Sequence, residues 1–257
     1  MIRLDGYLKA NFDIILKEAI PNKWDALTVI FGREGTGKTT LAVQLAKYTD
    51  NDFNLSRCVF TPQQFNDAID NAPPESAIVW DEAITGANIS AHASEISVSI
   101  VSKLTQIRKK KLKLFLCFPY LHMLNKYFVS RCICSIYVYA KDFNDRGYGF
   151  FYTQPQTEFL YNYMKERFRY SPLDAIKKSA HAFYFKYPKK FYLPETEYDD
   201  KKENSRVNTD RMGDKWKDRT IQLIIALKKH TTLGEISQIL GVTTQYMNQL
   251  TNKKYSI

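Results

Sequence analysis

The sequence predicts an α/β fold: a mostly parallel sheet with helices on both faces, extended by an antiparallel hairpin and followed by a small all-α domain. Three observations predict it. Short, predominantly apolar runs (27–31, 77–80, 112–118 and 133–139) alternate with segments of helical periodicity. That is the pattern of strands buried on both faces by crossover helices. Residues 142–147 are rich in turn-formers and lead straight into a further strand-like run at 148–152, so the last two runs read as a hairpin. From residue 215 the periodicity is helical alone, after a charged stretch at 195–214 that has no apolar period.

The elements follow in order. Residues 7–20 are helix-like and are closed by Pro21-Asn22. The strand at 27–31 runs into glycines and then a helix from Lys38 to about Tyr48. A short strand at 58–60 and a helix at 62–69 come next, Pro73-Pro74 breaks the chain, and the strand at 77–80 ends in Asp81-Glu82. Ala93, Ile96, Ile100, Leu104 and Ile107 recur at intervals of three and four, one face of a long helix over about 90–111. The strand at 112–118 is stopped by Pro119. Residues 155–194, dense in Tyr, Phe and Lys, read as a helical or mixed extension of the first domain. The expected division is therefore a domain at 1–194, a charged linker at 195–214 and a domain at 215–257.

The chain has 257 residues, 44% of them apolar, and a formal net charge of +10. At roughly 150 residues per domain, this is one full domain and a small one. The charge favours a polyanionic partner such as nucleic acid, or marks a solvated basic surface. Cys58, Cys117, Cys132 and Cys134 lie in apolar strand-like runs, with no CxxC or zinc spacing. They read as reduced, buried thiols in a reducing compartment, not as a disulfide scaffold. No segment resembles a signal peptide, and no apolar run approaches the roughly 18–20 residues that span a bilayer. The expected location is cytoplasmic.

Gly32-Arg33-Glu34-Gly35-Thr36-Gly37-Lys38-Thr39 satisfies G-x-x-x-x-G-K-[ST] between a predicted strand and a predicted helix. The glycines let backbone N–H groups turn inward around a phosphate. Lys38 reaches the β- and γ-phosphates, the Thr39 hydroxyl ligates Mg²⁺, and the helix N-terminus adds its positive end. The expected ligands are ATP and Mg²⁺. The nucleotide set is Gly32, Glu34, Gly35, Thr36, Gly37, Lys38, Thr39 and Thr40. Asp81, at the end of an apolar strand, joins Thr39 as the metal pair. Glu82 beside it can polarise a water for attack on the γ-phosphate, or is an exposed acid with no role.

Adjacent Asp81-Glu82 resembles the P-loop ATPase division with an additional catalytic glutamate. In that division a strand lies between the P-loop strand and the Asp-bearing strand, which implies that 112–118 takes the central place. Two branches compete. Ser130-Arg131-Cys132 looks like the arginine-finger motif of clamp loaders and related AAA+ proteins. That likeness implies a homo-oligomer, as a ring or a transient assembly, in which Arg131 acts as a third catalytic residue beside Lys38 and Glu82, across a subunit boundary. Arg131 also reads as a surface arginine capping a strand or pairing an acid. AAA+ proteins imply a helical lid after residue 139, where this sequence has a hairpin.

The hairpin-extended sheet resembles the FtsK–HerA group of DNA-pumping motors and zonula-occludens-toxin-like phage ATPases, over about residues 25–153. In the FtsK–HerA pattern the fourth strand ends in a glutamine before Arg-Pro; here it ends Cys117-Phe118-Pro119. The resemblance implies ATP hydrolysis coupled to DNA translocation, packaging or loading in a prokaryotic virus or mobile element. The alternatives are an ATP-dependent DNA-binding switch (an initiator, helicase loader or regulator) and a phage-assembly ATPase whose C-terminal module docks protein.

Two segments are candidates for contact with duplex DNA. Arg108-Lys109-Lys110-Lys111, with Lys103 and Lys113, can track phosphates, or are cations favourably placed at a helix C-terminus. Residues 231–250 have the pattern of a helix-turn-helix, with an earlier helix at about 216–229. Ile236, Ile239 and Leu240 form a core face, Gly241 permits the turn, Val242 plugs the core, Thr243 caps the second helix, and Met247 and Leu250 face inward. Thr244, Gln245, Asn248 and Lys253 then point outward on the helix that can enter a major groove. Residues 215–257 hold seven basic and two acidic residues, a net charge of +5. A module of this shape also docks protein.

Overall fold

Every residue of β1 (Ala26–Phe31) is buried. Leu27, Val29 and Phe31 pack on one side of the sheet with Phe65, Trp80 and Leu160, while Ala26 and Ile30 pack on the other with Leu41, Leu45 and Phe115. A strand covered on both faces has no polar side, which is why it reads as a continuous apolar run. The structure is a computed structural model and describes residues 2–24, 26–83, 103, 105–166, 181–205, 224, 227, 231–239 and 243–245. The chain divides into two units, Met1–Asp199 and Asp200–Ile257.

The first unit carries a seven-stranded sheet in the order β2-β3-β4-β1-β5-β6-β7. Here β2 is Cys58–Val59, β3 Ala77–Trp80, β4 Lys113–Phe118, β5 Cys132–Ala140, β6 Arg146–Thr153 and β7 Phe183–Lys186. The first five strands in that order are mutually parallel, and β6 and β7 add on antiparallel. β4 lies between β1 and β3, with Phe31 opposite Phe118 and Trp80 opposite Leu116, the central place that the resemblance implies for it. Three α-helices precede β3. α1 (Gly6–Ile14) is capped by the Asp5 carboxylate and continues as a π-helical turn, Ile15–Ala19. α2 (Lys38–Thr49) opens from the glycine-rich loop. α3 (Pro62–Asn71) has Thr61 as its cap and Pro at its start.

Two sequence expectations change and another gains detail. The stretch 155–194, expected as a helical or mixed extension, holds most of a helix, Gln154–Glu166, and the edge strand β7. In β7 Phe185 is buried while Tyr184 is 58% exposed, and aromatic residues on both faces hide the period of two. The expected linker at 195–214 begins with a helix, residues 195–205. Its apolar contact comes from Tyr198, too sparse a signal for periodicity, and tertiary docking supplies what propensity does not.

The second change concerns the basic cluster. Of the long helix expected at 90–111, Lys103 and residues 105–110 are described and helical, while 84–102 lie outside the described residues. The Nζ of Lys110 donates to the carbonyls of Ile69 (2.8 Å), Asp70 (2.7 Å) and Ala72 (3.3 Å) at the end of α3. Lys103 pairs with Asp70, and Lys111 with Glu75 at 3.2 Å. Lys113 is buried and donates to the carbonyls of Thr49 and Glu75; burial lowers its pKa. These four cations serve the C-terminus of α3 and its neighbours, where unpaired carbonyls attract them. Arg108 and Lys109 are exposed.

The four cysteines are buried thiols, and burial pushes the Cys134 thiol up to about 12. No helix among the described residues is long and apolar enough to cross a membrane. In the second unit, the helix Leu233–Ile239 opens with a capping box: Thr232 N–H donates to the Glu235 carboxylate at 3.0 Å and Glu235 N–H to the Thr232 hydroxyl at 3.3 Å. Ile224 and Ile236 are buried beside Leu233. Thr244 and Gln245 are helical and exposed. Leu240 to Val242, Met247, Asn248, Leu250 and Lys253, on which the helix-turn-helix reading depends, lie outside the described residues.

Lys113→Met leaves the carbonyls of Thr49 and Glu75 without this donor, the first of them buried. It should lower unfolding stability by about 1–3 kcal/mol, seen as a lower urea midpoint. Unchanged stability would show that the cation is not structural.

Candidate nucleotide site

The loop after β1 depends on glycine at two places. Gly32 has φ +149°, and a Cβ there would lie 2.1 Å from the Val138 carbonyl oxygen of β5. Gly37, at φ +99°, caps α2 from the left-handed region and faces the Tyr187 hydroxyl, which a Cβ would meet at 2.9 Å. The loop closes on itself: the Thr36 hydroxyl and the Lys38 ammonium both donate to the Arg33 carbonyl, at 2.7 and 2.9 Å. Tyr187, just past β7, donates to the carbonyls of Gly37 (3.1 Å) and Thr36 (3.4 Å).

Asp81 stands where β3 ends and is 3% exposed. Its N–H donates to the Val59 carbonyl at 2.9 Å, and that of Ala83 to the Cys117 carbonyl at 3.1 Å. The turn is thus pinned to β2 on one side and β4 on the other. Between the pins, Glu82 has φ +56°, a left-handed conformation that a non-glycine residue keeps only when its surroundings impose it. The Thr39 hydroxyl, on the first turn of α2, donates to Asp81 Oδ1 at 2.9 Å. A hydroxyl has one proton and two lone pairs, so with its proton on Asp81, Thr39 presents lone pairs for a cation. The oxygen donors suit a hard divalent ion. Among the described residues no group of three or more His, Cys, Asp or Glu gathers. Mg²⁺ here would take its other ligands from phosphate and water.

A third hydroxyl reaches the site. Tyr198 O–H donates to Asp81 Oδ2 at 2.5 Å. Burial, then the Asp81 charge, pushes the phenol far above its usual pKa, so it remains the donor. Neither Tyr187 nor Tyr198 belongs to a phosphate-binding motif: the sequence shows Tyr187 only within the aromatic-rich stretch 155–194 and Tyr198 only within the charged stretch 195–214.

Arg131 sits elsewhere. It ends the helix Lys126–Arg131, donates to the Tyr127 hydroxyl at 3.0 Å and lies over that ring. Cys132 pairs with Leu27 at the start of β1, and Tyr137 with Phe31 at its end. Arg131 is therefore roughly 15 Å along the strand from the loop, and its own nucleotide site is out of reach. On the loop side, a cleft of about 730 Å³ separates residues 33–36 from the β5–β6 hairpin, with Tyr137, Tyr139, Lys141, Phe143 and Arg146 on its walls.

Fold and loop together are those of a P-loop nucleoside triphosphatase. Residues 23–127, under half of the chain, match the family described as Novel STAND NTPase 3. No curated protein matches the chain. Among solved structures it is similar to the N-terminal domain of zonular occludens toxin from Neisseria meningitidis, at 15% identity over 64% of this chain and 94% of that one, with a TM-score of 0.43. It is also similar to the genome packaging NTPase B204 of Sulfolobus turreted icosahedral virus 2, at 11% identity over 53% and 95%, with a TM-score of 0.36. A third likeness is to the HORMA:CdnC:Trip13 complex of E. coli MS115-1, at 15% identity over 51% and 61%, with a TM-score of 0.38. All three scores fall below 0.5, and the chain's own geometry carries its functional reading.

Gly32→Ala should displace the loop from β5, and binding of a fluorescent ATP analogue should fall at least tenfold while the far-ultraviolet circular dichroism stays native. Wild-type affinity would mean that the close approach to Val138 is not required.

Proposed function

We propose that the chain hydrolyses ATP with Mg²⁺ at this site and uses the cycle to act on duplex DNA as an oligomer. The observation that carries the hydrolytic reading is the Thr39–Asp81 hydrogen bond beside the glycine-rich loop. Lys38 exchanges the Arg33 carbonyl for phosphate oxygens when nucleotide enters. Mg²⁺ bound at Thr39 and Asp81 would neutralise charge on the transferring phosphoryl group. Glu82, strained and held between two pinned residues, takes the proton from the attacking water. The cleft beside residues 33–36 accepts the nucleobase against Tyr137 and Tyr139. Arg131 acts on the nucleotide of a neighbouring subunit.

The DNA reading is supported by the net charge of +10, by the net +5 of residues 215–257 and by the exposed Arg108 and Lys109. In it, residues 215–257 form a helix-turn-helix with Thr244, Gln245, Asn248 and Lys253 toward the groove.

Two measurements test these readings. Lys38→Ala should lose ATP binding, whereas Glu82→Gln should bind ATP normally with turnover down about 10²–10⁴-fold. Arg131→Ala should be inactive, and mixing it with Glu82→Gln should recover part of the activity through composite sites. Near-normal turnover in Glu82→Gln would remove the glutamate from the chemistry. The second measurement is the ATPase rate with and without duplex DNA at low salt. Stimulation that fades as salt rises supports the DNA reading; a DNA-independent rate would move residues 215–257 to protein docking.

A further inference from the structure

We propose that Tyr198 is a positioning residue for the metal site: its phenol holds Oδ2 of Asp81 so that Oδ1 faces Thr39. The inference rests on the reading of Thr39 and Asp81 as the Mg²⁺ pair.

A carboxylate at a strand end can rotate about its last bond, and rotation of Asp81 would take Oδ1 away from Thr39. Two hydroxyls fix it from opposite sides, Tyr198 on Oδ2 at 2.5 Å and Thr39 on Oδ1 at 2.9 Å. The orientation is passed on. Once Oδ1 is fixed, the Thr39 proton is committed to it, and the lone pairs of that hydroxyl face the cation. Tyr198 would therefore act through Asp81, and then through Thr39, without touching metal or nucleotide.

The tyrosine is itself held firmly. Its ring lies edge-on between Phe60 (5.4 Å, 62°) and Phe191 (5.1 Å, 75°). The segment that delivers it is tied to α2, because the buried Gln44 amide donates to the carbonyls of Pro188 (2.6 Å) and Lys190 (2.8 Å). A hydroxyl placed by packing at both ends of its segment is preorganised, and partners of metal-bound carboxylates of this kind tune affinity.

The test uses the full chain and a fluorescent ATP analogue, titrated with Mg²⁺. Tyr198→Phe keeps the ring between Phe60 and Phe191 and removes only the hydroxyl. The Mg²⁺ concentration for half-maximal binding should rise about 10–100-fold, while binding in excess EDTA stays as in wild type. Tyr198→Met, which fills the slot with a flexible apolar chain, should give the same shift and serves if the phenylalanine variant does not fold. A Mg²⁺ midpoint within twofold of wild type overturns the inference. So does an equal loss of binding in EDTA, which would leave Tyr198 a packing role alone. Wild-type protein that binds nucleotide with no Mg²⁺ dependence would instead remove the metal pair itself, and the inference with it.

Discussion

The hydroxyl of Thr39 and the carboxylate of Asp81 come from two different crossovers of the chain, and their 2.9 Å hydrogen bond constrains the rest of the unit. For the two to meet, β1 and β3 must run parallel and end at the same edge of the sheet. They are second neighbours, because β4 lies between them, so roughly 10 Å of sheet separates the strands. α2 must then leave the loop at an angle that carries its first turn back toward β3. The left-handed Gly37 and the close approach of Gly32 to β5 set that exit.

Around this bond the chain builds a second layer from aromatic hydroxyls. Tyr187 props the loop carbonyls and Tyr198 holds the outer oxygen of Asp81. Both come after β7, the strand that completes the antiparallel side of the sheet. The edge strand is thus tied to the loop through the segment it launches. The glycine-rich loop belongs to the first forty residues, yet its support arrives 150 residues later.

Charge is divided between fold and surface. Lys110, Lys111, Lys103 and Lys113 look like one basic face in sequence, yet their ammonium groups meet the end of α3, Glu75 and buried carbonyls. A carbonyl at a helix end lacks an internal partner, and a lysine within reach of several such oxygens is more useful to the fold than to a phosphate in solvent. Arg108 and Lys109 are exposed.

What the sequence by itself determined is local. Gly32, Gly37, Lys38 and Thr39 declare a phosphate loop because their spacing is set by the loop's own backbone. The apolar runs at 27–31, 77–80 and 112–118 declare buried parallel strands because both faces are covered. Asp81 is legible because a carboxylate directly after such a run must emerge at the strand's end. Only the tertiary structure decided the rest. Tyr198 lies 117 residues from Asp81, in a charged stretch whose helix has no apolar period to announce it, and the distance of Arg131 from the loop of its own chain is set by the register of β5 beside β1. Partners set by packing between distant segments leave no periodic trace in either segment. Motif and periodicity report the backbone's local geometry; which hydroxyl holds which carboxylate depends on where the whole chain folds.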